Sequence, residues 1–305
     1  MQENDFDRIS MTARFVSYWR QYTDIPFAQD VAGYIHAKEV IEAFLDEYHI
    51  APAEISWYAP LFEVRYKSIV EAIRRKGIRQ VIELASGLSL RGLAMTRDPA
   101  VTYIETDLES LTKEKAALVS VLRQKYALAD YGNFHLSPAN ALDRKQVLSA
   151  AGHFHKGGPV AVVSEGLFPY LTRQEMETVV RNIRDLLQMF GGVWITPDFL
   201  LKTDSTRALA SRRKVGKAIV KLTGRRLHET MFEDEVQLQA YFDAAELRVE
   251  VLNQVELTQH VVSPGVLKLP ASIIESAKPR LHLWLLTPMS LNHRLFMVPK
   301  RRLQR

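Results

Sequence analysis

Between Val81 and Asp107 the chain reads VIELASGLSLRGLAMTRDPAVTYIETD, and this order of residue types admits few folds. A short apolar run, Val81-Ile82-Glu83-Leu84, passes into the small residues Ala85-Ser86-Gly87 and then into a helix-like piece from Ser89 to about Met95. Pro99 breaks that piece, and a second apolar run, Val101-Thr102-Tyr103-Ile104, ends on Glu105 and Asp107. Strand, tight turn, helix and strand make a βαβ unit of the kind that binds nucleosides. Small residues let backbone approach a ligand, a helix N-terminus offers unpaired N–H groups, and an acid roughly 20 residues past the turn can accept ribose hydroxyls.

The dinucleotide fingerprint G-x-G-x-x-G is reduced here to Gly87, with Ala85 and Leu90 at the other two positions and Gly92 out of register. A pyrophosphate needs the close, glycine-lined approach, whereas a ligand without phosphates needs one tight turn and an acidic partner. The pattern therefore favours S-adenosyl-L-methionine over NAD, against the plainer alternative of a βαβ crossover with no ligand.

The rest of the chain extends the unit. Residues 1–77 read as a helical cover, with helices over Thr12–Tyr22, Ala37–Tyr48 and Glu63–Lys76, breaks at Pro26, Pro52 and Pro60, and Gly77 as a C-cap. After Asp107 come a helix over Leu111–Leu128 capped by Ser110 or Thr112, and strands at Asn133–Leu136, Val160–Val163 and Val193–Thr196. The apolar run Val160–Val163 implies a strand covered on both faces, as in a parallel sheet. Asp143 reads as a helix N-cap, and Thr172 with Glu175 as a capping box. Residues 200–233 interrupt the alternation with a basic, mostly helical insertion; a helix over Glu233–Ala245 and strands at Leu247–Leu252 and Leu281–Leu286 follow. We read one α/β domain: cover 1–77, ligand-binding core 78–199, insertion 200–233 as a lid, the end of the sheet at 234–290, and a basic tail at 291–305.

Composition narrows the function classes. The 305 residues include no cysteine, which excludes disulfides, zinc–thiolate sites and cysteine nucleophiles, and no motif suggests a metal. No run of about 18 apolar residues occurs and the N-terminus is polar, so the expectation is a cytoplasmic protein without a membrane span. The net charge of +5 is concentrated in Lys202–Arg226 and in the tail. Neither segment interleaves aromatics that would stack bases, which argues against nucleic acid.

Several stretches together resemble the leucine carboxyl methyltransferase family, and within it the bacterial polyketide-synthesis-type O-methyltransferases. They are RQYTDIPFAQD at 20–30, Arg65-Tyr66-Lys67, ELASGLSLRG at 83–92, YIETDL at 103–108 and SEGLFPYL at 164–171. The last is the most specific. The resemblance implies a class I, Rossmann-like methyltransferase fold with a seven-stranded, mostly parallel sheet whose final strand is antiparallel. It implies that Arg65 holds the carboxylate of S-adenosyl-L-methionine, that Ala85 and Gly87 line its methionine part, that Asp107 binds the ribose, and that Glu83 is also among the cofactor-binding residues. Asn140 and Ala141 flank the adenine, Glu165 closes the pocket near the amino group, and either Arg14 or Arg20 assists at the carboxylate. Where the family's first motif has glycine and aspartate, this chain has Ala85 and Ser89; alanine is tolerable there if the position does not need positive φ.

Methyl transfer from a sulfonium is an in-line displacement, so a carboxylate acceptor needs no general base, while a phenol with a pKa near 10 gains from one. His228, His260 and Asp198 are the candidates to consider, and no catalytic residue is assigned. The expectation is an O-methyltransferase with an anionic small-molecule or peptide acceptor, drawn in by Arg212, Arg213 and Lys214. Its rivals are an NAD-dependent oxidoreductase, a nucleic-acid methyltransferase and a non-catalytic relative of the fold.

Overall fold

The computed structural model describes residues 3–202, 210–223, 230–270 and 272–289. The expected basic tail, His228 and the side chains of Arg212 and Arg213 lie outside the described residues.

Five helices precede the sheet: α1 (Glu3–Arg20), α2 (Ala28–Tyr34), α3 (Ala37–Glu47), α4 (Pro52–Ile55) and α5 (Tyr58–Arg75). Then come β1 (Gln80–Leu84), α6 (Arg91–Met95), β2 (Thr102–Asp107), α7 (Glu109–Tyr126), β3 (Phe134–Pro138), α8 (Arg144–Ala150), β4 (Val160–Ser164), α9 (Arg173–Phe190) and β5 (Gly192–Thr196). After the insertion helix α10 (Ala210–Thr223) follow α11 (Glu235–Ala244), β6 (Leu247–Asn253) and, beyond short helical turns, β7 (His282–Pro288).

The seven strands lie in the order β3-β2-β1-β4-β5-β7-β6. The first five are parallel, and β7 runs antiparallel to both β5 and β6. This is the class I methyltransferase arrangement that the resemblance implies. Strand order reverses between β1 and β4, so their carboxyl ends part to form the crevice where open α/β sheets take ligands. Both strands are buried along their whole length, β4 as its apolar run requires and β1 with Gln80 and Glu83 among its buried residues.

The helical cover is continuous with the core. Phe15, Tyr18 and Trp19 of α1 share one buried cluster with Leu88, Leu90 and Leu93 after β1 and with Leu118 and Leu122 of α7. Val215 and Ala218 of α10 are buried in that same cluster, so the insertion helix rests on the cover. No helix among the described residues is long and apolar enough to cross a membrane.

Several expected boundaries move. Pro60 does not break a helix: it occupies the first turn of α5, where no intrahelical partner exists for the N–H it lacks. The short helix α2 was not anticipated; it starts after Phe27, whose backbone is left-handed. Neither Ser110 nor Thr112 caps α7. The helix begins after Leu108, whose N–H donates to Asp107 Oδ1 at 2.8 Å. Asp143 and the Thr172/Glu175 pair cap as expected.

Candidate functional site

At the crevice, the turn after β1 is drawn tight by the acid that ends β2. Gly87 N–H donates to Asp107 Oδ2 at 2.7 Å, and Ser86 N–H donates to the Thr106 carbonyl at 2.9 Å. Two residues of the turn have left-handed backbone, Ala85 at φ 51° and Gly87 at φ 56°. Position 85 therefore does require positive φ, and alanine sits there at a steric cost of roughly 1–2 kcal/mol. Ala85→Gly is expected to raise the unfolding free energy by about 1 kcal/mol, read by urea denaturation, because relief of the Cβ clash exceeds the entropy glycine adds to the unfolded chain. A less stable variant would mean that the turn is not held in this conformation. Gly92, out of register for phosphate binding, answers a packing need instead: a Cβ there would lie 2.7 Å from both the Tyr103 and Phe134 rings.

Burial pushes the Asp107 carboxyl up, while the Lys115 charge and the N–H groups of Gly87 and Leu108 pull it down. Asp107 as a residue is half-buried, and a carboxylate can accept more bonds than the two backbone donors supply. The carbonyl of Asp107 accepts from Ala139 N–H at 2.8 Å, which brings Asn140 and Ala141 to the same edge. There Asn140 Oδ1 accepts from Leu142 N–H, and the Ala141 carbonyl accepts from Asn182. Turn, acid and β3 edge thus suit a nucleoside.

The other end of the site is an arginine–carboxylate cluster. Arg91, fully buried, bonds both Glu83 and Glu165. Arg20 donates to the free oxygen of Glu165 at 2.6 Å, and Tyr103 OH donates to Glu83 Oε2 at 2.6 Å. The Tyr66 ring lies against both cations, 4.7 Å from Arg91 and 5.6 Å from Arg20. Both oxygens of Glu83 are thus bonded in the interior, by Arg91 and Tyr103, whereas the resemblance counts it among the residues at the cofactor. Glu165, which the resemblance puts near the cofactor's amino group, has both oxygens taken by arginines. Burial alone would raise its carboxyl; Arg20, Arg91 and Arg65 outweigh burial and hold it down to about 2.

That depression fixes a sign. With its folded value below the ordinary 4.5, Glu165 stabilises the fold above the ordinary range and loses that contribution as pH falls towards 2. We expect the wild type to lose roughly 3 kcal/mol more than Glu165→Gln between pH 5 and pH 2 in urea titrations. Parallel curves would show the cluster to be energetically idle.

Of the two N-terminal arginines, only Arg20 reaches this cluster; Arg14 pairs with Glu114 on α7 at 2.9 Å. Arg65, on α5, contributes its charge to Glu165 and Asp198 but makes no ion pair among the described residues. Its guanidinium lies over the Phe62 ring, 5.8 Å from the centroid. Lys214 of the insertion approaches Glu54 at 3.4 Å.

The candidate bases fare poorly. Asp198 accepts the N–H groups of Gly166, Leu167 and Phe168 at 2.7, 2.9 and 3.2 Å, so it fastens the loop after β4, and burial pushes its carboxyl up against those donors and the Arg65 charge. His260 is exposed, and its carbonyl accepts from Lys67. Burial pushes the Tyr66 hydroxyl up to about 12, against the opposing charges of Arg91 and Arg20, so it is no phenolate at neutral pH.

Two residues that carry the site escaped sequence reasoning. Lys115 is buried and bonds Ser86 Oγ at 2.7 Å and Glu105 at 2.8 Å, supporting the turn from below. Its signal was present: it shares the apolar stripe of α7 with Leu118, Val119 and Leu122. Arg91 lies within the motif stretch, but a charged residue there reads as exposed by default.

With this geometry in hand, likeness to known proteins can be weighed. Residues 56–184 match the family described as leucine carboxyl methyltransferase, so the resemblance seen in the motifs holds over that segment. A relative from Mycobacterium avium, provisionally named an S-adenosyl-L-methionine-dependent methyltransferase, is 31% identical over 121 residues, 40% of this chain and 39% of the relative. A relative from Streptomyces coelicolor with a similar provisional name is 30% identical over 115 residues, 38% of this chain and 39% of the relative. The matches thus span about two-fifths of those relatives' length. Among solved structures, a provisionally assigned methyltransferase from Thermobifida fusca superposes with a TM-score of 0.55 at 16% identity, covering 83% of this chain and 89% of that one. A DUF574 family protein from Streptomyces avermitilis gives 0.53 at 13% identity, covering 92% and 97%. At such identities the structural likeness concerns the fold.

Proposed function

We propose that this chain, with a class I methyltransferase fold and a leucine carboxyl methyltransferase segment, is an S-adenosyl-L-methionine-dependent O-methyltransferase acting on a small anionic acceptor, a carboxylate before a phenol. The observation that carries the reading is the left-handed turn at Ala85–Gly87, bonded to Asp107 beside the opening between β1 and β4. Asp107 would accept the ribose hydroxyls, Asn140 and Ala141 would border the adenine, and Arg65 would meet the methionine carboxylate. The bound cofactor supplies an electrophilic methyl group on a sulfonium. The chain's own task is then to orient the acceptor and exclude water, a task that would fall to the cover helices and to α10, which is buried against them in the cluster that holds Leu88 and Leu90. A carboxylate acceptor is supported by the two candidate bases within the described residues: Asp198 is tied to three N–H groups and His260 is exposed. An acceptor already ionised at neutral pH needs neither.

Calorimetric titration with S-adenosyl-L-methionine and S-adenosylhomocysteine, with NAD as a control, tests the cofactor. Mass-spectrometric detection of methyl esters after incubation with aliphatic carboxylic acids and phenols tests the reaction. Micromolar binding of the two sulfur compounds with ester formation is the expected result. Preference for NAD would overturn the reading, and binding without methylation of any acceptor would leave a non-catalytic binding protein.

A further inference from the structure

Lys115 holds a place in the site that packing alone does not call for. The residue is 1% exposed, and its ammonium donates to Glu105 Oε2 at 2.8 Å and to Ser86 Oγ at 2.7 Å. Ser86 passes the bond on, its hydroxyl donating to the Thr106 carbonyl at 3.2 Å, while the other Glu105 oxygen accepts from Gly92 N–H at 2.6 Å. One buried cation thus ties α7 to the turn after β1, to β2 and to α6. A buried ion pair often stabilises a fold no better than well-packed apolar residues of like volume, so its presence here calls for another reason.

That reason is the neighbour it faces. Glu105 and Asp107 stand two residues apart on β2 and project to the same face of the sheet, the face that Lys115 of α7 reaches. The helix starts directly beyond Asp107, where Leu108 N–H donates to Oδ1 at 2.8 Å and Thr112 Oγ1 donates to the main-chain carbonyl at 3.2 Å. Around the Asp107 carboxyl stand Lys115 from α7, Glu83 from β1 and Glu105 from its own strand; the turn contributes the Gly87 N–H, and β3 sets Pro138 alongside. Burial and Glu83 push this carboxyl up, and the Lys115 charge works against them together with the two N–H groups.

We propose that Lys115 is the positioning residue of the nucleoside site: it seats the turn on β2 and keeps Asp107 an anion with both oxygens able to accept, as the two hydroxyls of a ribose require. This rests on the S-adenosyl-L-methionine reading above. A protonated Asp107 would turn one of its oxygens into a donor, and the diol would lose a partner.

The test titrates the full chain with adenosine by calorimetry at pH 6, 7 and 8 and constant ionic strength, in buffers of different ionisation enthalpy so that proton release is read as well. Wild-type affinity is expected to change less than about threefold over this range. Lys115→Gln keeps a side-chain amide for Ser86 but no charge. It should stay within about threefold of wild type at pH 8, weaken about tenfold by pH 6, and there release a proton as adenosine binds. Equal weakening at all three pH values without proton release would make Lys115 a mere prop for the turn and overturns the proposal, as does unchanged affinity. Should Lys115→Gln fail to fold, Lys115→Gln/Glu105→Gln strands no ion and keeps an amide oxygen for Gly92 N–H, and its profile is read the same way. If the wild type binds neither adenosine nor S-adenosylhomocysteine at any pH, the nucleoside reading fails and the proposal with it. A binding wild type beside a flat profile in the variant leaves that reading standing and removes only the part assigned to Lys115.

Discussion

Arg91→Met is expected to remove about 3–5 kcal/mol of folding stability, the largest loss from any single substitution in the cluster. Glu83 and Arg91 are essentially sealed from solvent, at 1% and 0% side-chain exposure. Inside the protein the mutual attraction of such a pair offsets a desolvation penalty of several kcal/mol per ion, so deleting one partner strands the other. Methionine keeps much of the volume, which confines the loss to charge and hydrogen bonding. Tyr103 OH would still donate to Glu83, but one neutral donor does not compensate a buried carboxylate. Urea denaturation of the variant measures the effect, and a loss below about 1 kcal/mol would mean that water or a protonated Glu83 relieves the site. The double variant Arg91→Met/Glu83→Gln should recover part of the stability, because the stranded charge disappears.

Asp107→Ala should weaken cofactor binding about a hundredfold while changing stability less than Arg91→Met does. Loss of two charge-assisted ribose bonds accounts for roughly 3 kcal/mol or more, and every 1.4 kcal/mol is a factor of ten. The same substitution releases Gly87 N–H and Leu108 N–H, so the turn loosens as well. Adenosine serves as the diagnostic ligand: the variant should lose adenosine and S-adenosylhomocysteine in similar proportion, whereas Arg65→Ala should affect only the latter. If adenosine affinity survives in Asp107→Ala, the nucleoside lies elsewhere on the sheet edge.

The strands were legible because buried strands leave short apolar runs such as Val160–Val163; their order across the sheet was not, because a run marks burial and not its neighbours. The turn at 85–87 was legible from its small residues, but its backbone was not. The positive φ of Ala85 is imposed by Asp107 pulling on Gly87 and by Thr106 holding Ser86, contacts about 20 residues away. Helix α2 was hidden because Ala28–Tyr34 is a single short amphipathic stretch whose entry depends on a left-handed Phe27. Pro60 misled because its meaning depends on whether the helix starts before or after it. The charged cluster was hardest to foresee. Arg20, Arg91, Glu83 and Glu165 come from four separate elements, and only tertiary packing shows that they share one interior space.

The carboxylate of Glu63, on the same helix as Arg65 and Tyr66, accepts the N–H groups of Val262 and Ser263 at 2.8 and 2.9 Å and takes Lys67 at 2.7 Å. Lys67 in turn reaches Asp24 at 2.5 Å. One buried acid therefore clasps the beginning of the chain to a segment 199 residues further on. During synthesis α5 emerges long before its partners exist, and contacts of such sequence separation form late because loop closure must precede them. Helix α5 is thus expected to settle only when the segment between β6 and β7 docks. Pulsed hydrogen exchange during refolding should find the Val262 and Ser263 amides among the last protected, and early protection there would show that the clasp guides assembly instead of completing it.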